Sequence, residues 1–223
     1  MGLITGRKSA RRMITKWNEA LSDRPSRSGA RRPLPPIWLL GLLIVLLVSL
    51  GGVAAREVLR YERGAVLDGE YWRLITGHLV HGTGQHLLLN LAGLVVIAAL
   101  FPRSYSVKGW LLILLFSIVA IDVGFVFYQP QLHWYVGFSG VLHGALAGGA
   151  IAWWRSESKP LAIALTALFV GKLMWEQWHG ALPLSGDLPV VVDAHLYGAI
   201  GGALAASILW AWRQPWFSGF RSL

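Results

Sequence analysis

The chain of 223 residues is 55% hydrophobic and 14% charged, with a mean hydropathy of +0.52, whereas an ordinary soluble domain carries about 25% charged residues. That deficit excludes a typical water-soluble domain and points to a protein dissolved in lipid, and the 12 Trp residues fit, since Trp favours bilayer interfaces. There is no cysteine, hence no disulfide, thiol chemistry or cysteine metal site, and the formal charge of +9 is too localised to signal a nucleic-acid partner.

Nine of the 20 Lys and Arg residues precede Pro33, opposed only by Glu19 and Asp23. They form a basic tail, read as a topology signal that holds this end in the cytoplasm and also suits contact with anionic lipid. Within it, residues 7–21 have the pattern of a short amphipathic helix, with Met13, Ile14, Trp17 and Leu21 on one side. Residues 22–36, rich in Ser, Gly, Pro and Arg, read as a linker. Six apolar stretches follow, at 37–54, 85–101, 109–128, 137–154, 161–178 and 191–212. Each is near the ~20 residues that cross a ~30 Å hydrocarbon core. The first is too long for a signal-peptide core and lacks a cleavage site. The expected division is a basic tail and linker over 1–36, a six-helix membrane domain over 37–212 and a short tail over 213–223.

Loop charges set the orientation. Arg103, Lys108, Arg155, Lys159, Arg213 and Arg221 lie on the same side as the basic tail. The opposite side carries the balanced loop 55–84, the nearly uncharged loop 129–136 and loop 179–190 with Asp187. The excess of cations predicts that both termini are cytoplasmic. Trp153, Trp154, Trp210 and Trp212 read as the inner interfacial belt.

Polar groups inside spans are costly and mark function. Ser139 precedes Arg155 by 16 residues, His195 precedes Arg213 by 18, and His86 and Asn90 precede Arg103 by 17 and 13. At 1.5 Å per residue they stand about 24, 27, 26 and 20 Å above the inner boundary. Four polar side chains from three helices thus converge on one level, a few Å below the outer surface. Ser139 opens its helix within Gly137-Phe138-Ser139-Gly140, where free N–H groups and the positive dipole end suit a developing oxyanion. Gly140, Gly144 and Gly148, with Gly198 and Gly202, form small-residue stripes that let the fourth and sixth spans approach closely. His86 and Asn90 are four apart and share a helix face. Asp193, two residues from His195, lies about 200° round the helix and should face elsewhere. Asp122 and Lys172 are expected to snorkel from outer helix ends. His143 is read either as a cavity-lining residue or as a partner of His195. His78 and His81 are either solvated or structural. No His-Glu-x-x-His pattern accompanies them, so no metal or other cofactor is expected.

Trp72-Arg73, His81, His86-x-x-x-Asn90, Gly137-x-Ser139-Gly140 and Ala194-His195-x-x-Gly198, in this order, resemble the rhomboid proteases. The resemblance implies an all-α membrane protein with a six-transmembrane-helix bundle and a Ser139–His195 dyad without a catalytic acid. It also implies an oxyanion hole from His86, Asn90 and backbone N–H groups near Ser139 and Phe138, with Gly137, Gly140 and His143 in support. A water-accessible cavity would open to the outer side, with substrate entering laterally from the bilayer. Many rhomboids carry Tyr four residues after the serine; here His143 stands there. Together with Asp193-Ala194-His195-Leu196-Tyr197-Gly198 this is more similar to the rhombosortase branch, associated with bacterial proteins that bear a C-terminal Gly-Gly sorting signal and membrane anchor.

The expected activity is therefore serine endopeptidase cleavage of membrane-anchored proteins near the outer face of a bacterial inner membrane. The expected partners are those substrates and the lipid bilayer. A non-catalytic scaffold that binds transmembrane helices is the alternative, though both dyad residues are present. A transporter would predict inverted repeats, and none is visible. Oligomeric state is not legible.

Overall fold

The structure, a computed structural model, describes residues 36–156, 159–182 and 190–212. The basic tail, the expected helix over 7–21, the linker up to residue 35 and the tail over 213–223 lie outside the described residues. The elements in chain order are α1 (Pro36–Leu50), α2 (Gly52–Leu59), β1 (Tyr61–Glu62), α3 (Arg63–Leu67), α4 (Arg73–Thr76) and α5 (Gly84–Leu100). They continue with α6 (Val107–Tyr128), β2 (Trp134–Tyr135), α7 (Ser139–Ser156), α8 (Lys159–His179) and α9 (Val192–Ala211). The protein is mostly helical, and each of the six apolar stretches coincides with a helix. The first stretch ends earlier than the expected residue 54. The Gly51-Gly52 pair, poor in helix propensity, breaks the chain, and α2 leaves α1 at a bend of 108°.

Local signals explain the helix starts. The Thr83 side chain caps α5 by accepting from the His86 N–H at 3.2 Å, and Ser106 caps α6 by accepting from Gly109 N–H at 3.2 Å. Helices α6 and α9 are each long and apolar enough to cross a membrane, and α5 is apolar but shorter.

The surface is the reverse of a soluble protein's. Leu39, Leu43, Leu47 and Leu50 on α1 and Leu168 and Trp178 on α8 are exposed, up to 81% at Leu50, while Asn90, Glu176 and His195 are buried. Such apolar flanks suit lipid, and buried polar groups then need partners inside the bundle. Helix α9 packs chiefly on α7 and α6, around a core that includes Trp110, Ile113, Ile121, Phe125 and Ala194.

The segment expected as a plain loop over 55–84 is instead a folded cap. Buried Arg73 ties it together, pairing with Glu70 at 2.5 Å and donating to the carbonyls of Glu57 and Arg60 at 3.0 and 2.9 Å. Arg63 donates to the Phe125 and Val126 carbonyls near the end of α6 at 3.0 and 3.1 Å. A two-residue antiparallel ladder, Tyr61↔Tyr135 and Glu62↔Trp134, joins this cap to the segment before α7. It amends the all-α expectation: both segments run extended beside one another and satisfy their backbone groups by pairing.

Candidate active site

The cap ladder leads directly to the Ser139 turn. Gly137 N–H donates to the Gly77 carbonyl at 3.1 Å, and the Tyr135 hydroxyl donates to the Gly137 carbonyl at 2.7 Å. Burial pushes the Tyr135 phenol above its ordinary range, so it stays a donor. Gly137 has φ +131°, and a Cβ there would come within 2.6 Å of the His86 ring. The glycine is thus required both by the backbone conformation and by the close approach of His86. Helix α7 then begins at Ser139.

Helix α9 delivers His195 by near-contact of backbones. A Cβ at Gly198 would fall on the Gly140 carbonyl, one at Gly202 on the Gly144 carbonyl, and one at Gly140 within 2.8 Å of the Ala194 carbonyl. This is the close approach that the glycine stripes predict. It brings the Ser139 hydroxyl to 2.9 Å from His195 Nε2.

The far side of His195 holds the residue that sequence reasoning passes over. Glu176 Oε2 lies 2.9 Å from His195 Nδ1, and Glu176 is only 2% exposed. Lys172, one helical turn earlier on α8, donates to Glu176 Oε1 at 2.6 Å and to His143 Nε2 at 2.8 Å. His143 Nδ1 lies 2.7 Å from the carbonyl of Ser139 itself. Five residues therefore close a ring of hydrogen bonds: Ser139, His195, Glu176, Lys172, His143 and back to Ser139. A lysine ammonium has no acceptor, so His143 Nε2 accepts and its Nδ1–H donates to the carbonyl. His195 Nε2 accepts the Ser139 proton when its Nδ1–H donates to Glu176.

Lys172 does not snorkel; it turns into the site, where a carboxylate and an imidazole bind the ammonium. Asp122 also turns inward, with Oδ1 3.3 Å from buried His78 Nε2, so His78 is structural. In both cases a partner inside the bundle replaces hydration at the interface. The expectation of a pair with no acid behind it meets a carboxylate on Nδ1. A glutamate in an apolar span, four residues from a lysine and so on the same face, is the signal that was available. Asp193 does face elsewhere, accepting from Gln129 Nε2 at 2.6 Å.

His86 and Asn90 project from α5 toward the same space. Two cavities, of about 290 and 300 Å³, share His86, Ser139 and Val190 in their walls. The second also reaches Asn90, His143, Lys172 and His195. Asn90 is 4% exposed, and its Nδ2 has no hydrogen-bond acceptor among the described residues. A buried amide donor without a partner is costly, and it sits where a substrate oxygen could accept from it. His81 packs edge-on to His86 with centroids 5.1 Å apart. Burial, and secondarily the neighbouring His86, push its pKa down to about 4, so near neutral pH it is an uncharged packing residue. Phe138 and Gly140 flank Ser139, and both are buried.

His143, Glu176 and His195 place one donor atom each within 4.8 Å of one another, close enough to consider a metal. Their chemistry argues otherwise. The Lys172 ammonium already binds Glu176 and His143. The two imidazoles are stacked only 10° from parallel, and lone pairs lying in parallel ring planes do not converge on one ion.

The Rhomboid domain family matches residues 68–212, a stretch that includes Arg73, His86, Asn90, Ser139, Glu176 and His195. The chain is also 33% identical over 79 residues to the "Putative rhomboid protease YdcA" of Bacillus subtilis (strain 168). That match covers 35% of this chain and 40% of the relative, so the chain spans about two fifths of the length of the curated relative it matches. With an apolar helical bundle and a family match over most of its length, this multi-pass membrane protein belongs to the rhomboid family.

Proposed function

We propose that this chain is an intramembrane serine endopeptidase in which Ser139 is the nucleophile and His195 the general base. The observation that carries the reading is the 2.9 Å approach of the Ser139 hydroxyl to His195 Nε2 at the start of α7, beside cavities that reach His86 and Asn90. Ser139 Oγ attacks the scissile carbonyl carbon while its proton passes to His195 Nε2. The tetrahedral oxyanion is held by His86, Asn90 and the backbone N–H groups at Ser139 and Phe138. Imidazolium His195 gives its proton to the leaving amine as the C–N bond breaks. Water then adds to the acyl carbon, losing a proton to His195, which passes it to Ser139 Oγ as the carboxylic acid product leaves and later ionises in water.

The reading includes six spans over 37–212, both termini in the cytoplasm of a bacterial cell and cleavage near the outer face. It also includes the rhombosortase branch, supported by His143 in the place where many rhomboids carry Tyr, and hence substrates with a Gly-Gly-bearing C-terminal anchor. The test is labelling of the purified, detergent-solubilised protein with a fluorophosphonate probe. Labelling is expected for wild type and lost in Ser139→Ala and His195→Ala, with turnover of a membrane-anchored substrate lost in parallel. Equal labelling of wild type and Ser139→Ala sinks the proposal.

A further inference from the structure

Beyond the pair, we infer that Glu176 is a positioning residue for His195, its charge held inside the membrane by Lys172. The inference rests on Ser139 and His195 acting as nucleophile and base.

A base that takes the Ser139 proton at Nε2 must carry its own proton on Nδ1. Glu176 Oε2, 2.9 Å from Nδ1, is an acceptor placed to select that tautomer and fix the ring's rotation. When His195 becomes imidazolium, the carboxylate faces the new positive charge in a buried setting where Coulomb interactions are strong. A simple ion pair with Lys172 needs one carboxylate oxygen. Here each oxygen has its own partner, Oε1 with Lys172 and Oε2 with His195.

Lys172 serves the carboxylate. An ionised glutamate 2% exposed within an apolar helix requires a counter-charge to remain ionised while His195 is neutral. Lys172 supplies it from one turn away on the same face and passes a hydrogen bond on to His143. His143 returns the ring to the Ser139 carbonyl. The groups facing this carboxylate are therefore His195 from α9, Lys172 from its own helix and His143 from α7, with His86 from α5 across the cavity.

The test uses the full chain and a fluorogenic membrane-anchored substrate. Glu176→Gln keeps the shape and removes the charge. Its kcat is expected to fall about 10²–10⁴-fold, as when a triad acid is neutralised, with KM changed less than about threefold. Glu176→Asp should recover part of the loss. Removing one partner of a buried pair also destabilises, so Lys172→Met with Glu176→Gln forms the control. The double variant should regain the thermal stability lost by Glu176→Gln but not the turnover, and Ser139 should react slowly with the fluorophosphonate. A folded Glu176→Gln or double variant with kcat within tenfold of wild type overturns the inference. A raised KM at unchanged kcat does so too, because it would make Glu176 a substrate contact. Ser139→Ala run in parallel separates the two readings: if it still turns over, it is the nucleophile assignment that has failed.

Discussion

His143 lies flat against His195, with ring centroids 4.0 Å apart and planes 10° from parallel. It sits one helical turn after Ser139 on α7, so the helix that presents the proposed nucleophile also presents the surface on which the His195 ring rests. Phe169 also packs near His143, with ring centroids 6.0 Å apart. His143 thus blocks one face of His195, while Glu176 fixes rotation in the plane. Removing the plate should let the ring tilt. Aromatic pairs contribute about 0.5–1.5 kcal/mol beyond burial, so His143→Ala is expected to lower kcat by up to about tenfold. His143→Phe, which keeps a flat ring, should stay closer to wild type. Steady-state turnover of the three proteins side by side checks this, and Ala and Phe variants of equal activity would remove the plate argument.

The donors on α5 give a sharper expectation. Losing one oxyanion-hole donor typically raises the barrier by about 2.7–4 kcal/mol, or roughly 10²–10³ in rate. Asn90→Ala and His86→Ala should each fall in that range at unchanged helix content by circular dichroism. Asn90 is the cleaner probe, because its Nδ2 has no other acceptor among the described residues. His86→Ala also frees the space against Gly137, so its loss should include some loosening of the Ser139 turn. Full activity in both variants would show that oxyanion stabilisation comes from elsewhere.

Much of this arrangement is legible in the sequence, for identifiable reasons. Counting residues from the charged boundaries predicts one depth for Ser139, His195, His86 and Asn90, because a helix has a fixed rise, and the four do line one cavity. The glycine repeats encode the α7–α9 contact, because only a missing side chain permits it. Glu176 and Lys172 are harder to read. Charged residues near helix ends are usually expected to seek the interface, and the sequence does not show that they face α7 and α9 instead. The cap over 55–84 is hidden for a different reason. Its fold depends on long-range bonds from Arg63 and Arg73 to carbonyls, and a carbonyl carries no sequence signature. The bend after α1 was encoded in Gly51-Gly52, but an apolar stretch that continues past it masks the break.

The glycine contact makes a stability prediction. A side chain at Gly198 must displace the Gly140 backbone carbonyl, which has no rotamer through which to escape. Overpacking of this kind costs about 1–3 kcal/mol and sometimes more. Gly198→Val should lower the thermal midpoint and also separate Ser139 from His195, so fluorophosphonate labelling should fall even in the fraction that remains folded. Gly171, where a Cβ would meet nothing within 4 Å, is the matched control, and Gly171→Ala should be nearly neutral. Comparable melting curves for Gly198→Val and wild type would show that the two helices can part without cost.

In the proposed orientation, counting along α7 puts Ser139 about 24 Å above the inner boundary, near the outer edge of a ~30 Å core. An anchor helix passing this level hides its carbonyls in hydrogen bonds, and Ser139 cannot reach one until the helix opens. Glycine is about 1 kcal/mol worse than alanine in a helix, so a Gly-Gly pair at the outer end of an anchor opens readily. It also brings no side chain to the space that His86, Asn90 and His143 already line. Exported proteins with a C-terminal Gly-Gly anchor are therefore the expected substrates, and cleavage should release the domain on the outer side. Co-expression with wild type or Ser139→Ala, followed by mass spectrometry of the new termini, maps the cut. Replacing both glycines with leucine should reduce cleavage at least tenfold, since leucine strengthens the helix and adds two bulky side chains. Undiminished cleavage of the Leu-Leu substrate, or a cut at the cytoplasmic end of the anchor, would remove the rhombosortase reading while leaving the serine chemistry of Ser139 to stand on its own labelling test.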